Sequence, residues 1–288
     1  MLKVLFNIED DLYSKTLKIL GFKICTIDKG KKSLTTEDLR CYTMAAHVNS
    51  KLEKYRGAFT DKDVIIIGAG PSLKYLDSIP ENAITIGINR AFRLNNIDFN
   101  YLFIQDNLPD KKALEEFIEY KPDSCTKFIG IHTNQSHIRI RQSSISRIKN
   151  REFYILNNRR PGHTLAPIDI SLEPFARYNG TVFAVLQFCL FANAKRIYLA
   201  GFDCTNNGHA FSINKAEFKQ AYQYKFWKQF KLYKDTLWED SEIISINPIN
   251  LKGMFKDIYT QSYIKAHPEI KLNQNNILDG KNTTQNLT

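Results

Sequence analysis

A chain of 288 residues can bury one substantial core and is long enough for one large domain or two small ones. Its hydrophobic content of 43% and charged content of 24% are globular values, and no apolar run approaches the roughly 18 residues of a membrane span. The formal net charge of +10 points to an anionic partner (nucleotide sugar, anionic lipid, acidic glycan or nucleic acid) or to a solvated basic surface. Nucleic acid fits worst, because no recognition motif is present and the lysines are spread rather than clustered.

Met1–Phe6 is apolar but meets Glu9-Asp10-Asp11 at once, too short for a signal-peptide core, and reads as a first strand. Phe22–Ile27 reads as another, and Thr35–Tyr55 as a helix, so residues 1–60 are expected to form a small α/β unit. From Val64 the texture changes. Val64-Ile65-Ile66-Ile67 is a continuous β-branched run, as in a strand covered on both faces of a parallel sheet. Ile84–Ile88, Tyr101–Ile104 and Lys127–Ile131 repeat the pattern, with a helical segment at Lys111–Tyr120. Residues 132–178 are irregular and basic, with a strand at Glu152–Leu156 inside them. An apolar helix follows at Thr181–Ala192, a strand at Arg196–Ala200, a helix at Lys215–Tyr233 and a last strand at Glu242–Ile246. This alternation predicts an α/β fold with a doubly wound, mostly parallel, Rossmann-like sheet over 61–262. Residues 263–288, rich in Asn, Gln and Thr toward their end, read as a disordered tail.

Ile67-Gly68-Ala69-Gly70-Pro71-Ser72-Leu73 is the strongest local signal. Two glycines allow a sharp turn and a close approach, Pro71 suits a first helical turn, and Ser72 adds a hydroxyl. Exposed N–H groups and a helix dipole there would attract a phosphate. A tight strand-to-helix turn without a ligand is the alternative. The third glycine of the dinucleotide fingerprint is missing, and the second strand ends in Asn89-Arg90 without an acidic residue, which disfavours NAD; the P-loop pattern is also absent. Cys25, Cys41, Cys125, Cys189 and Cys204 lack CxxC spacing, so a zinc ribbon or redox pair is unsupported, and they suit a reducing cytoplasm.

Three blocks together resemble a known family. Gly68-Ala69-Gly70-Pro71-Ser72-Leu73 with Asn89-Arg90 is similar to the start of the bacterial CMP-dependent sialyltransferases of glycosyltransferase family 42, and equally to the related flagellin-modification, pterin-diphosphokinase-like group. Arg177-Tyr178-Asn179-Gly180-Thr181-Val182, followed by Arg196-Ile197-Tyr198-Leu199 and Gly201-Phe202-Asp203, forms the second block. Ile246-Asn247-Pro248 with Leu251 and Phe255 forms the third. The resemblance spans roughly residues 60–260, with 107–176 unaligned. It implies a GT-A-like domain that binds a CMP-sugar donor with no metal and no further cofactor. Gly68, Gly70, Pro71 and Ser72 would hold the phosphate. Asn89, with Arg90 beside it, would meet nucleotide or sugar. Asp106 would contact the donor, Asn179, Gly180 and Thr181 the base or ribose, and Asp203 would close the pocket. The family's downstream His has no counterpart in Lys215–Tyr233, and the nearest candidate base is His209 in Asn207-Gly208-His209-Ala210.

His209 is either that base or a loop histidine with a structural hydrogen bond. His132, His137 and His163 read as surface or acceptor-loop residues. No His/Asp/Glu cluster has metal-ligand spacing, and the DxD pair of metal-dependent glycosyltransferases is absent near the strand ends. Phe218, Tyr222, Phe226 and Phe230 form one helical stripe among lysines. Core packing is the default reading of that stripe, and a basic face on an anionic inner membrane is the sharper one. The expected protein is a cytoplasmic, inverting glycosyltransferase that passes a nonulosonic acid or Kdo to a surface glycan or lipid-linked acceptor. Diphosphate transfer to a pterin and a non-catalytic nucleotide-sugar-binding role are the alternatives.

Overall fold

The computed structural model describes residues 6–10, 14–19, 22–28, 36–105, 111–132, 145–157, 166–178, 180–205, 221–270, 276–278 and 281–282. The chain divides into two compact units, 1–40 and 41–288. In the first, β1 (Phe6–Asp10), β2 (Ser14–Ile19) and β3 (Phe22–Asp28) form an antiparallel sheet. β1 starts where the sequence reading ended its first strand. β2 was not anticipated, because its polar–apolar alternation lasts only six residues.

α1 (Thr36–Val48) leads into a 3-10 stretch, Asn49–Tyr55, where a single helix over 35–55 was expected. Leu52 and Phe59 are core residues of the larger unit, so residues 41–60 belong with its sheet.

That sheet has eight parallel strands: β4 (Asp63–Ile67), β6 (Ile84–Ile88), β7 (Tyr101–Ile104), β8 (Thr126–His132), β9 (Arg151–Leu156), β10 (Arg196–Ala200), β11 (Glu242–Ile246) and β12 (Lys256–Ile258). Their order is β12-β11-β10-β4-β6-β7-β8-β9, the doubly wound α/β fold that the sequence predicts. Two further short strands, β5 (Ser78–Ile79) and β13 (Lys281–Asn282), pair antiparallel with each other. The continuous β-branched run reads true in β4: Val64 and Ile66 enter the core on one face, Ile65 and Ile67 on the other.

On the first face lie α3 (Thr181–Phe191) and α4 (Ala221–Leu237); on the second lies α2 (Lys111–Glu119). All eleven residues of α3 are buried, as expected of a helix apolar on every side. Phe188 projects from it onto Phe103 and Phe128, which stack 4.3 Å apart. Gln187 is the polar exception in the middle of the helix. Its amide accepts from the Ala176 N–H at 2.8 Å and donates to the Ala176 carbonyl at 3.2 Å, closing the backbone that leads into α3.

Cys189 is fully buried and burial pushes its thiol pKa up, which agrees with an inert core residue. His132 corrects the sequence reading. It ends β8 with only 8% of its surface exposed, because a strand covered on both faces carries its last side chain inward.

Replacing Gln187 with Leu leaves both Ala176 groups without their partner inside the core. Urea denaturation should show a loss of about 1–3 kcal/mol. An unchanged midpoint would mean that Ala176 is satisfied in another way.

Candidate functional site

The strand order fixes where a ligand crevice can lie. From β4 the chain moves outward through β6, β7, β8 and β9, then returns through α3 to place β10 on the other flank of β4. The reversal falls between β4 and β10, and open α/β sheets bind ligands at the carboxyl ends of such a pair. The register brings those ends level: Ala200 pairs with Ile67 on one side and Ile246 on the other.

The glycine loop leaves β4 at this point, but it is packed against β10. The Gly68 and Gly70 N–H groups donate to the Ala200 and Gly201 carbonyls at 2.9 and 2.8 Å. A Cβ on Gly68 or Gly70 would come within 2.6 or 2.7 Å of the Gly201 carbonyl oxygen. These glycines are therefore required by the approach of their own sheet neighbour. Pro71 opens only a five-residue 3-10 turn, Pro71–Tyr75, where a helix was expected. The turn stops because the Tyr75 carbonyl accepts from the Thr260 hydroxyl at 2.6 Å, and Asp77 accepts from the Ser262 amide at 2.8 Å to start α5 (Gln261–Ala266). Thr260 is held in turn by Asn247, through an Nδ2 bond to its hydroxyl and an amide bond back to Oδ1, both 2.9 Å. The sequence reading gave Thr260 no role.

Ser72 faces inward. Its N–H donates to Asp203 Oδ2 at 2.7 Å and its hydroxyl to Asp203 Oδ1. Asp203 is 3% exposed, and burial raises its pKa while the two Ser72 bonds pull it down. The anion seated on the predicted phosphate loop is the protein's own carboxylate.

Open polar capacity lies one strand over. Asn89 ends β6 in the left-handed conformation, φ 53°, and its Oδ1 is buried without a hydrogen-bond partner. Gly180 starts α3 at φ 145°, a conformation that excludes a side chain although space for a Cβ exists. Thr181 follows, 4% exposed, with its hydroxyl oxygen also unpartnered. The helix runs down to Ala192, whose carbonyl accepts from Phe59, and Lys195 then pairs with Lys62 beside the start of β4. The N-terminus of α3 thus points to the carboxyl edge, and the helix lies in contact range of β4, β6 and β7. Arg90 and Arg177 belong to the same edge. Both are half-buried, and among the described residues neither side chain has a hydrogen-bond or ion-pair partner. Arg56, Arg93, Arg147 and Arg196 each pair with a carboxylate. Arg177 was quoted in the second sequence block but not singled out as a site residue; what marks it is the missing partner.

The structure brings Gly68, Gly70, Pro71, Ser72, Asn89, Arg90, Gly180, Thr181 and Asp203 to one edge of one sheet. Asp106, Asn179 and His209 lie outside the described residues, as do His137 and His163. Among the described residues no group of three or more His, Cys, Asp or Glu could hold a metal ion. Ser245, whose hydroxyl has no partner, lines a narrow crevice with Phe202, Asp203 and Asn247 beside this edge.

The Asp203–Ser72 contact has a testable pH signature. A folded pKa raised above the ordinary carboxylate value means that ionisation costs stability, a cost absent at low pH and complete above the folded pKa. Asp203→Asn keeps an acceptor for the Ser72 amide and a polar partner for its hydroxyl, without the charge. Its stability relative to wild type should rise with pH between those two pKa values. Asp203→Ala leaves both Ser72 groups unpaired and should lose about 1–3 kcal/mol. Urea titrations from pH 4 to 8 separate the two; a pH-independent difference for Asp203→Asn would contradict the burial effect.

No family model matches the chain, and no curated protein matches it. A solved structure does: a MAf glycosyltransferase from Magnetospirillum magneticum AMB-1, at 12% identity and a TM-score of 0.42, over 71% of this chain. The chain spans about a third of that protein, 36% of its length.

Proposed function

We propose that this chain is the nucleotide-sugar-binding domain of a glycosyltransferase, with the donor seated at the carboxyl edge between β6, β4 and the N-terminus of α3. The observation that carries this reading is the set of unsatisfied groups one strand from the strand-order reversal: among the described residues Arg90 and Arg177 have no partner, and Asn89 and Thr181 have buried oxygens unpaired. Buried polar groups are nearly always paired, so such exceptions, at an edge that also carries two arginines with no partner among the described residues, fit a site for a ligand with both an anionic group and hydroxyl donors. The positive end of α3 adds to the attraction. Glycosyl transfer, as against another nucleotide chemistry, is supported by the three sequence blocks.

In this reading the phosphate is held by Arg177, Arg90 and the first turn of α3. Asn89 and Thr181 meet the sugar or ribose. Gly68, Gly70, Pro71 and Ser72, tied to Asp203, form the floor of the crevice. The donor is a CMP-activated nonulosonic acid or Kdo, displaced in one inverting step without a metal. The acceptor is a surface glycan or lipid-linked saccharide. His209 is the proposed base that takes the acceptor hydroxyl proton; Asp106 and Asn179 complete the donor contacts.

Calorimetry with CMP, UDP, GDP and ATP, with and without Mg²⁺, tests the site and the donor class together. CMP should bind without Mg²⁺. Arg177→Ala and Arg90→Ala should each weaken it about 10- to 100-fold, the value of a hydrogen bond to a charged group. The melting temperature should not change, since among the described residues neither arginine has a partner to lose. Unchanged affinity in both variants would remove the anion site, and binding of ATP with Mg²⁺ in place of CMP would point to diphosphate transfer.

A further inference from the structure

The outer surface of the α4 side carries an apolar patch that the nucleotide site does not use. Ile168 is 63% exposed, Leu172 59% and Leu232 54%. The Tyr233 hydroxyl donates to the Pro167 carbonyl at 2.7 Å, which ties the turn that holds Ile168 and Leu172 to the helix that holds Leu232. Exposing large aliphatic side chains on two adjoining elements is unusual for a surface that meets only water.

The charge along this side of α4 is basic, while the turn beside it carries Asp169, paired with Arg56, and Glu173. Lys225, Lys228 and Leu232 share one stripe of α4 by their spacing of three and four residues, and both lysines are exposed. Lys228 lies over the Tyr224 ring, 5.0 Å from its centroid, and Tyr224 is itself 37% exposed. Lys231 is partly neutralised by Asp235, and the acidic residues Glu239 and Asp240 follow the helix. Phe226 and Phe230 are buried, so this half of the aromatic stripe is core and the basic face is a separate surface; Phe218 and the Tyr222 side chain lie outside what the structure describes.

We propose that this face docks onto an anionic lipid bilayer, with Ile168, Leu172 and Leu232 entering the headgroup region and Lys225 and Lys228 meeting lipid phosphates. Aliphatic side chains beside lysines, with a tyrosine between, match an interfacial surface. Among the described residues no helix is long and apolar enough to cross a membrane, so the attachment is peripheral. The α4 end that bears Tyr224 and Lys225 is the end nearer the carboxyl edge of the sheet, since α4 leads back to the start of β11. Taken with the glycosyltransferase reading, docking would present the donor site to lipid-linked acceptors; the docking itself does not depend on that reading.

Sedimentation of the full chain with phosphatidylglycerol–phosphatidylcholine vesicles, and with phosphatidylcholine alone, tests the proposal without any assay of activity. Binding is expected to the anionic vesicles and to weaken with salt. Lys225→Glu with Lys228→Glu should reduce it at least about tenfold, and Ile168→Glu with Leu232→Glu should do so at low salt as well. All four side chains are exposed, and circular dichroism verifies that each variant is folded. Absence of binding, or equal binding by wild type and both double variants, overturns the proposal. So does a wild-type dimer in light scattering that Ile168→Glu with Leu232→Glu dissolves, which would assign the face to a second copy.

Discussion

A buried carboxylate holds together the end of the sheet where its strand order reverses. Asp203 leaves β10, Ser72 leaves β4, and their two hydrogen bonds join segments 131 residues apart in sequence. The strands beneath are already paired in register, but their outgoing loops would otherwise diverge, because the chain continues to β6 on one side and to β11 on the other. The contact can form only because Gly68 and Gly70 let the β4 loop lie flat on Gly201. A charge in so dry a place is costly unless it is hydrogen-bonded, and the Ser72 amide and hydroxyl meet that condition.

This constraint decides where an anion can bind. A phosphate on the Ser72 amide would have to displace a carboxylate that is almost wholly buried and has Ser72 as its hydrogen-bond partner among the described residues. The neighbouring end of β6 and the start of α3 make no such internal contact. Asn89 Oδ1 and the Thr181 hydroxyl are unpaired there, and among the described residues Arg90 and Arg177 at this edge have no counter-ion. Left-handed residues follow three strands at this edge: Asn89 after β6, Gly201 and Cys204 after β10, Asn247 after β11. Such conformations cost energy and cluster where the backbone is shaped for a purpose other than continuity. Beyond them, Asn247 and Thr260 brace the edge against Tyr75, so the rim is held on both flanks of the reversal.

The central strands were legible because a strand covered on both faces must be apolar at every position. Ile84–Ile88, Tyr101–Ile104, Arg196–Ala200 and Glu242–Ile246 are read from the chain with the bounds that the structure gives them. The glycine loop was legible as a close approach but not as an approach to what. Its partner is distant in sequence, and a phosphate and an aspartate make the same demand on a backbone. Arg177 illustrates the converse limit. An arginine is notable at this edge for having no partner, and an absence of contact leaves no mark on a sequence. Thr260 was missed because its role, a hydroxyl shared between Asn247 and Tyr75, has no local pattern.

The most direct measurement is a crystal structure of the protein soaked with CMP. The phosphate should lie within hydrogen-bonding distance of Arg177 and the first turn of α3, with Ser72 still bound to Asp203. A phosphate seated on the Ser72 amide, with the Asp203 carboxylate turned away, would contradict the central role given to that buried contact.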